Sequence, residues 1–295
     1  MVALAVGRVT RALLAAAAVA VLVGGTACGE RKEPTGPLVQ VFPVTVQGAS
    51  ESPTVVQGVP RRIVPLGAGP RRILRALGLE KRTVTVNDSL VGLPLVDQIK
   101  RARPDLIVAS SDADPLDLAR AKTATHAAVY VELDGSLDDV EHSIDEIGLL
   151  TGAPVAARKV TGSIERARSR VAARLSGAPV VPTFVDLGNF TTIPTRSLIG
   201  DILFEAHGES VAGASPEQGP FSLARLAKLA PQAYITTSAG RTTLAQLRAN
   251  PSTARLPAVK NGRFAIIPSR LVAPGPDVGE ALTRIAEVLH PDASG

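Results

Sequence analysis

The chain has 295 residues, 45% hydrophobic and 20% charged, enough apolar content for one large or two modest globular lobes. A single cysteine excludes an internal disulfide framework and a multi-cysteine metal site. The formal charge of +5 falls to about +3 once Arg8 and Arg11 are set aside, and no basic patch carries interleaved aromatics, so nucleic acid is not an expected partner.

Taken in chain order, residues 1–27 read as a signal peptide. Arg8 and Arg11 precede an uncharged stretch from Ala12 to Ala27 built of small and apolar residues, with no acid before Glu30. This stretch falls short of the roughly 20 apolar residues that a spanning helix needs, so cleavage is expected. The stretch ends in Gly25-Thr26-Ala27-Cys28, which resembles the lipobox of bacterial lipoproteins with glycine in the usual leucine place. That resemblance implies acylation of Cys28 and an anchor at the outer face of the cell membrane. An ordinary signal peptide that happens to end near a cysteine is the alternative. Residues 28–38 are charged and interrupted by glycine and proline, the composition of a tether.

From Val39 two short apolar runs around Gly48 to Pro53 predict a hairpin. Alternation of strand and helix follows. Strands are expected at Arg62–Leu66, Thr83–Val86, Asp105–Ala109 and Ala127–Val131, with helices at Pro70–Leu77, Val96–Arg103 and from Pro115. This is the pattern of an α/β lobe with a parallel sheet, residues 39–135. Between 136 and 177 the pattern changes to two helices, Ser136–Leu150 and Pro154–Leu175, without a strand between them; the second would be about 33 Å long. Residues 178–295 resume the alternation, with strands at Pro182–Val185, Gln232–Thr236 and Arg263–Ile267 and helices at Leu198–His207, Ser222–Leu229, Leu244–Ala249 and Val278–Leu289. The fold class expected is α/β, two Rossmann-like lobes joined by a long connector α-helix with a ligand cleft between the lobes.

Several segments in this order resemble the helix-linked class of bacterial solute-binding proteins, which serve ferric-siderophore, haem and cobalamin ABC importers. They are Pro60–Leu66 with Ile73–Gly78, Pro104–Ala109, Ile147–Gly152, Leu198–Leu203, Leu256–Arg263, Pro274–Pro276 and Leu289–Pro291. The resemblance implies a binding lipoprotein without cofactor or enzymatic activity, expected to be a monomer. Its ligand would be an iron chelate or related large metal-containing molecule, delivered to an ABC permease. It also implies permease docking through one acid on each lobe. Asp97, seven residues before Pro104, fills the first position, and Ala224, seven before Pro231, occupies the second. Arg72 stands where the family usually has glutamate, and Asp277 where it usually has arginine. A transporter-uncoupled sensing or envelope-interaction lipoprotein of the same fold is the alternative, as is a cobalamin or haem binder.

Ligands in α/β lobes gather at the C-terminal strand ends. That rule nominates Gly67, Gly69, Arg71, Asn87, Asp88, Ser111 and Asp112 in the first lobe, and Asn189, Phe190, Arg196, Arg241 and Arg270 in the second. The glycines permit close approach of backbone N–H groups. The arginines can fork onto carboxylate, catecholate or phosphate oxygens, and Phe190 can stack. Each also has a plainer reading, as a tight turn, a solvated cation or a core aromatic. Enzymatic readings have less support. Gly67-Ala68-Gly69 imitates a dinucleotide fingerprint but meets Arg72 at the third glycine position, no Gly-x-Ser-x-Gly elbow occurs, and His126, His142, His207 and His290 lack metal-ligand spacing.

Overall fold

The computed structural model describes residues 41–87, 94–193, 196–213 and 220–293. The segments expected to be a signal peptide and a tether, with Cys28 between them, and Asp88 lie outside the described residues.

The hairpin forms as expected, β1 (Val44–Val46) pairing antiparallel with β2 (Thr54–Val56). It covers the edge of the first parallel sheet: Ala49 N–H donates to Val131 O at 2.9 Å and Thr54 Oγ1 to Val129 O at 2.7 Å. That sheet contains β3 (Ile63–Leu66), β4 (Leu106–Ala109) and β5 (Ala128–Val131) in the order β3-β4-β5, with Ile63 opposite Leu106 and Leu106 opposite Ala128. Strands β3 and β4 are buried along their whole length, which is why they read as continuous apolar runs. Around the sheet lie α1 (Ala68–Ala76), α2 (Leu95–Ala102) and α3 (Pro115–Thr125). Asp114 caps α3 by accepting from Leu116 N–H, and Pro115 takes its first position.

The expected strand at Thr83–Val86 is not formed. Thr83 makes an isolated bridge to Ile63, and Val84 N–H donates to Ile63 O at 2.8 Å. A single bridge position does not make a ladder, although the valines of this segment still pack, Val86 being buried.

Two long helices follow, α4 (Leu137–Thr151) and the connector α5 (Pro154–Arg174). Ser136 caps α4 by accepting from Asp139 N–H, and Gly152 ends it at φ 70°. The connector buries Ala157, Thr161, Ile164, Ala167 and Val171, spaced by three and four as one helical face requires. That face packs against α4 and against the last helix, α10 (Val278–Leu289). Contact is close enough to need small residues: a Cβ on Gly148 would lie 2.4 Å from Ala157 Cβ, and one on Gly279 would lie 3.0 Å from Ala167 Cβ.

The second parallel sheet runs β7-β6-β8-β9, from β6 (Val181–Asp186), β7 (Gly208–Ser210), β8 (Ala233–Thr237) and β9 (Phe264–Ile267). Its helices are α6 (Leu198–Glu205), α7 (Leu223–Leu229), α8 (Leu244–Ala249) and the short α9 (Pro257–Lys260). Arg168 of the connector forks onto Glu205 of α6 at 2.6 and 3.0 Å and reaches Asp138 of α4 at 2.6 Å. One guanidinium thus ties three helices. The two sheets share a core in which the inner faces of both pack against α4, α5 and α10, and each has a separate outer cluster. The chain is an α/β protein of two lobes linked through the helical layer. Among the described residues no helix is long and apolar enough to cross a membrane.

Candidate functional site

The C-terminal ends of β3, β4 and β5 carry the first group of nominated residues. Gly67 caps α1 at φ 101°, a conformation open to glycine, and a Cβ there would fall 2.4 Å from Ser110 Oγ. Ser110 donates to Asp112, and Ser111 donates to Asp134, so a hydroxyl and carboxylate surface forms after β4. Ser111 and Asp112 are exposed on it. Arg71 is half-buried in α1. Asn87 is drawn away to α2, where its N–H donates to Gln98 Oε1 at 2.9 Å and its carbonyl accepts from Gln98 Nε2 at 3.0 Å.

Glu132, immediately after β5, was not nominated by the sequence. It is 1% exposed, and its Oε2 has no hydrogen-bond partner. Burial, reinforced by Asp134 and Asp112 and opposed by Arg72, pushes its carboxyl up to about 8, so it is mostly protonated at neutral pH. Gly69 lies directly over it: a Cβ on Gly69 would sit 2.6 Å from Glu132 Oε1 and 3.0 Å from the carbonyl oxygen of Pro274 in the second lobe. Gly69 therefore marks a point where the two lobes touch.

In the second lobe the strand-end loops are built on Asp186, the last residue of β6, which is fully buried. Its carboxylate accepts from Tyr234 OH at 2.8 Å, Thr242 Oγ1 at 2.7 Å and Gly188 N–H at 2.8 Å. Burial, with Asp186 alongside, raises the Tyr234 phenol far above its ordinary value and keeps it a donor. These bonds fix the loop in which Asn189 and Phe190 both adopt positive φ, 50° and 58°, at a cost of roughly 1–2 kcal/mol each. Asn189 is exposed, whereas Phe190 is half-buried against the cluster of Phe184, Phe221 and Tyr234. Its ring is thus largely accounted for by packing. Gly188 and Gly240 bring this loop against the next one backbone to backbone, a Cβ on Gly188 falling 3.0 Å from Gly240 Cα. Arg241 follows, exposed, at φ 55°.

The loops after β8 and β9 are joined by Ser238 and Ser269, each hydroxyl accepting a backbone N–H from the other loop at 3.0 and 2.9 Å. Arg270 comes next, exposed, with a guanidinium nitrogen 3.6 Å from Asp277. Arg196 is exposed on a different part of the surface, in a hollow of about 450 Å³ that includes Gly135, Ser136 and Asp139. The structure therefore gathers Gly67, Ser111 and Asp112 around the first sheet's strand ends and Asn189, Arg241 and Arg270 around the second's. A larger hollow, about 910 Å³ beside Phe204, Val180 and β7, lies away from these strand ends.

Arg72 was singled out in the sequence only as a departure from the family pattern. It crosses between the lobes: its guanidinium donates to the carbonyl oxygens of Arg270, Ala273 (3.0 Å) and Pro274 and stands 3.4 Å from Asp277 Oδ2. The two exchanged residues, Arg72 and Asp277, form an ion pair with each other.

The two positions that the sequence resemblance marks for docking occupy equivalent places. Helix α2 ends at Arg103 (φ 45°, ψ 58°) before Pro104, and α7 ends at Ala230 (φ 46°, ψ 57°) before Pro231. Asp97 and Ala224 are both exposed in the first turns of these helices.

A profile of the family described as periplasmic binding protein matches residues 63–271. The uncharacterized ABC transporter substrate-binding lipoprotein YvrC of Bacillus subtilis is 25% identical over 276 residues, covering 86% of this chain and 87% of that protein. Helicobacter pylori CeuE with Ni(II) bound superposes with a TM-score of 0.72 at 17% identity, over 85% of this chain and 90% of that one. A periplasmic haem-binding protein of Pseudomonas aeruginosa gives 0.65 at 20% identity, over 80% and 95%.

Proposed function

The chain belongs to the periplasmic binding protein family, and from that premise we propose that it is the binding lipoprotein of an ABC importer, taking an iron chelate or related large metal-containing ligand between its lobes. The observation that carries this reading is the pair of exposed arginines, Arg241 and Arg270, raised with Asn189 at the strand ends of the second lobe. Guanidinium forks suit the carboxylate, catecholate or hydroxamate oxygens that surround a chelated metal. The Ni(II) bound in the Helicobacter protein and the description of the Pseudomonas protein as haem-binding support a metal-bearing ligand.

Thermal-shift screening against ferric siderophores, haem and cobalamin tests the ligand class. A ligand at 100 times its Kd adds about 2.7 kcal/mol of apparent stability; absence of any shift across the three classes refutes the assignment. The same proposal places a lipid on Cys28, so Cys28→Ser should release the protein from the membrane fraction, and unchanged partition would refute the anchor. Docking through Asp97 predicts that Asp97→Ala lowers uptake while leaving ligand affinity unaltered.

A second reading is favoured by Ala224, which leaves the second docking helix without an acid in the position that Asp97 fills on the first. In that reading the protein binds ligand for sensing or envelope assembly and has no permease. Uptake that is independent of the protein, alongside intact ligand binding, would select it.

A further inference from the structure

The segment Arg270–Asp277 receives Arg72 in a prepared seat. Four acceptors converge on one guanidinium across 198 to 205 residues of sequence: the carbonyl oxygens of Arg270, Ala273 and Pro274 and the carboxylate of Asp277. Gly275 makes room for it, since a Cβ there would lie 2.7 Å from one terminal nitrogen and 3.0 Å from Cζ. Gly69 likewise clears the space between Pro274 and Glu132. Two glycines, one from each lobe, thus let the lobes meet around this arginine. Its side chain is only 19% exposed, so desolvation has been accepted in exchange for these contacts.

The seat is incomplete on the first-lobe side. Arg72 Nε is buried without a hydrogen-bond partner beside Gly275, and so is Glu132 Oε2 beneath Gly69. A cation and an acid that are electrostatically coupled but not bonded are poised for an alternative pairing.

We propose that Arg72 is a latch that holds the interlobe cleft shut without ligand, and that Glu132 is the partner it takes when the lobes part. This rests on the reading of the interlobe space as the ligand cleft. Opening withdraws Pro274 from Gly69, uncovers Glu132 and frees the guanidinium, which then forks onto the ionised carboxylate. Trading one set of acceptors for another keeps the cation satisfied in both states, so opening does not leave a stranded charge. The groups facing Glu132 are Asp112, Asp134 and Arg72, and those facing Arg72 are Glu132, Asp277 and Arg270. Ionisation of Glu132 in that surrounding draws Arg72 toward the first lobe, so mild alkali favours opening.

The test is an interlobe distance distribution, measured without ligand on the full chain carrying spin labels at Ala124→Cys and Ala245→Cys, with Cys28 exchanged for serine. Wild type should give one short distance at pH 7. Arg72→Met should raise the population at longer distance at least tenfold, and Arg72→Lys, which keeps charge but loses the fork, should fall between them. An unchanged distribution in Arg72→Met overturns the latch. Should that variant fail to fold, Asp277→Asn should still open the lobes to a smaller degree, and no opening there overturns the proposal equally. For the partner, the open population of wild type should grow from pH 7 to pH 9, and Glu132→Gln should abolish that growth; equal growth in both removes Glu132 from the device. Because no ligand is present, failure of the thermal-shift screen leaves these outcomes intact, and a ligand-induced shift with unaltered distances sinks the latch alone.

Discussion

Replacing Asp186 with alanine tests how the second-lobe loop is held. The carboxylate receives three donors at 2.7 to 2.8 Å, from Tyr234, Thr242 and Gly188. Hydrogen bonds to an ionised acceptor contribute about 1.5–3 kcal/mol each, part of which is offset by the cost of burying the charge. Tyr234 is fully buried, so its hydroxyl would be orphaned in Asp186→Ala. The net loss expected is about 3–5 kcal/mol. Tyr234→Phe removes one donor and should cost about 1–2 kcal/mol. The double variant should cost less than the sum, because both changes break the same bond. Urea denaturation followed by far-UV circular dichroism is the suitable assay, the chain having no tryptophan to report by fluorescence. A loss under about 1 kcal/mol for Asp186→Ala, or strict additivity with Tyr234→Phe, would refute the account of the loop.

Other consequences follow from the same structure. Glu132 binds its proton more tightly folded than unfolded, at about 8 against an ordinary 4.5, so stability should fall as pH rises through that window, by on the order of a few kcal/mol in all. Glu132→Gln should flatten the slope in pH-dependent unfolding; an unaltered slope assigns it to another group. Gly279→Leu should force α10 off the connector, where Ala167 Cβ and Ile164 Cα lie 3.0 and 3.3 Å from the added carbon, and cost about 1–3 kcal/mol in thermal or urea unfolding. Arg168→Met should destabilise by about 1–3 kcal/mol through loss of its partly buried fork onto Glu205. Full stability of Arg168→Met in 0.15 M salt would reduce that network to a solvated surface.

The strands and helices that are apolar and regular were legible because their burial imposes a period on the sequence. Helix α10 and the connector match their expected bounds within one residue. Thr83–Val86 has the same local signal as a strand, but a strand also needs a neighbour along its length, and only Thr83 has one. The reverse error is β7, three residues of Gly-Glu-Ser with no apolar pattern, which exist as a strand through pairing with β6. At the candidate site, the strand-end rule correctly located Ser111 and Asp112 as exposed residues just after β4, because that location follows from position in a βα unit. It passed over Glu132 although that residue also follows a strand, because a lone acid at a strand end reads as solvated until something is seen to cover it. The cover is Gly69 with Pro274, more than 200 residues apart. Arg72 and Asp277 were visible as two separate oddities; their pairing depends on the approach of the lobes, which no local pattern encodes.

The matching left-handed ends of α2 and α7 separate two kinds of selection. Each helix is stopped by a non-glycine residue at φ near 45° followed by proline, so its length and exit direction are fixed at its C-terminal end. The residues proposed for docking, Asp97 and Ala224, lie at the opposite end and are exposed. Substitution there leaves the cap and the following strand untouched. A charge can therefore be gained or lost at that end of either helix at a cost of only about 0.3–1 kcal/mol from the helix dipole, while the cap that sets the helix length and the strand that follows it stay as they are.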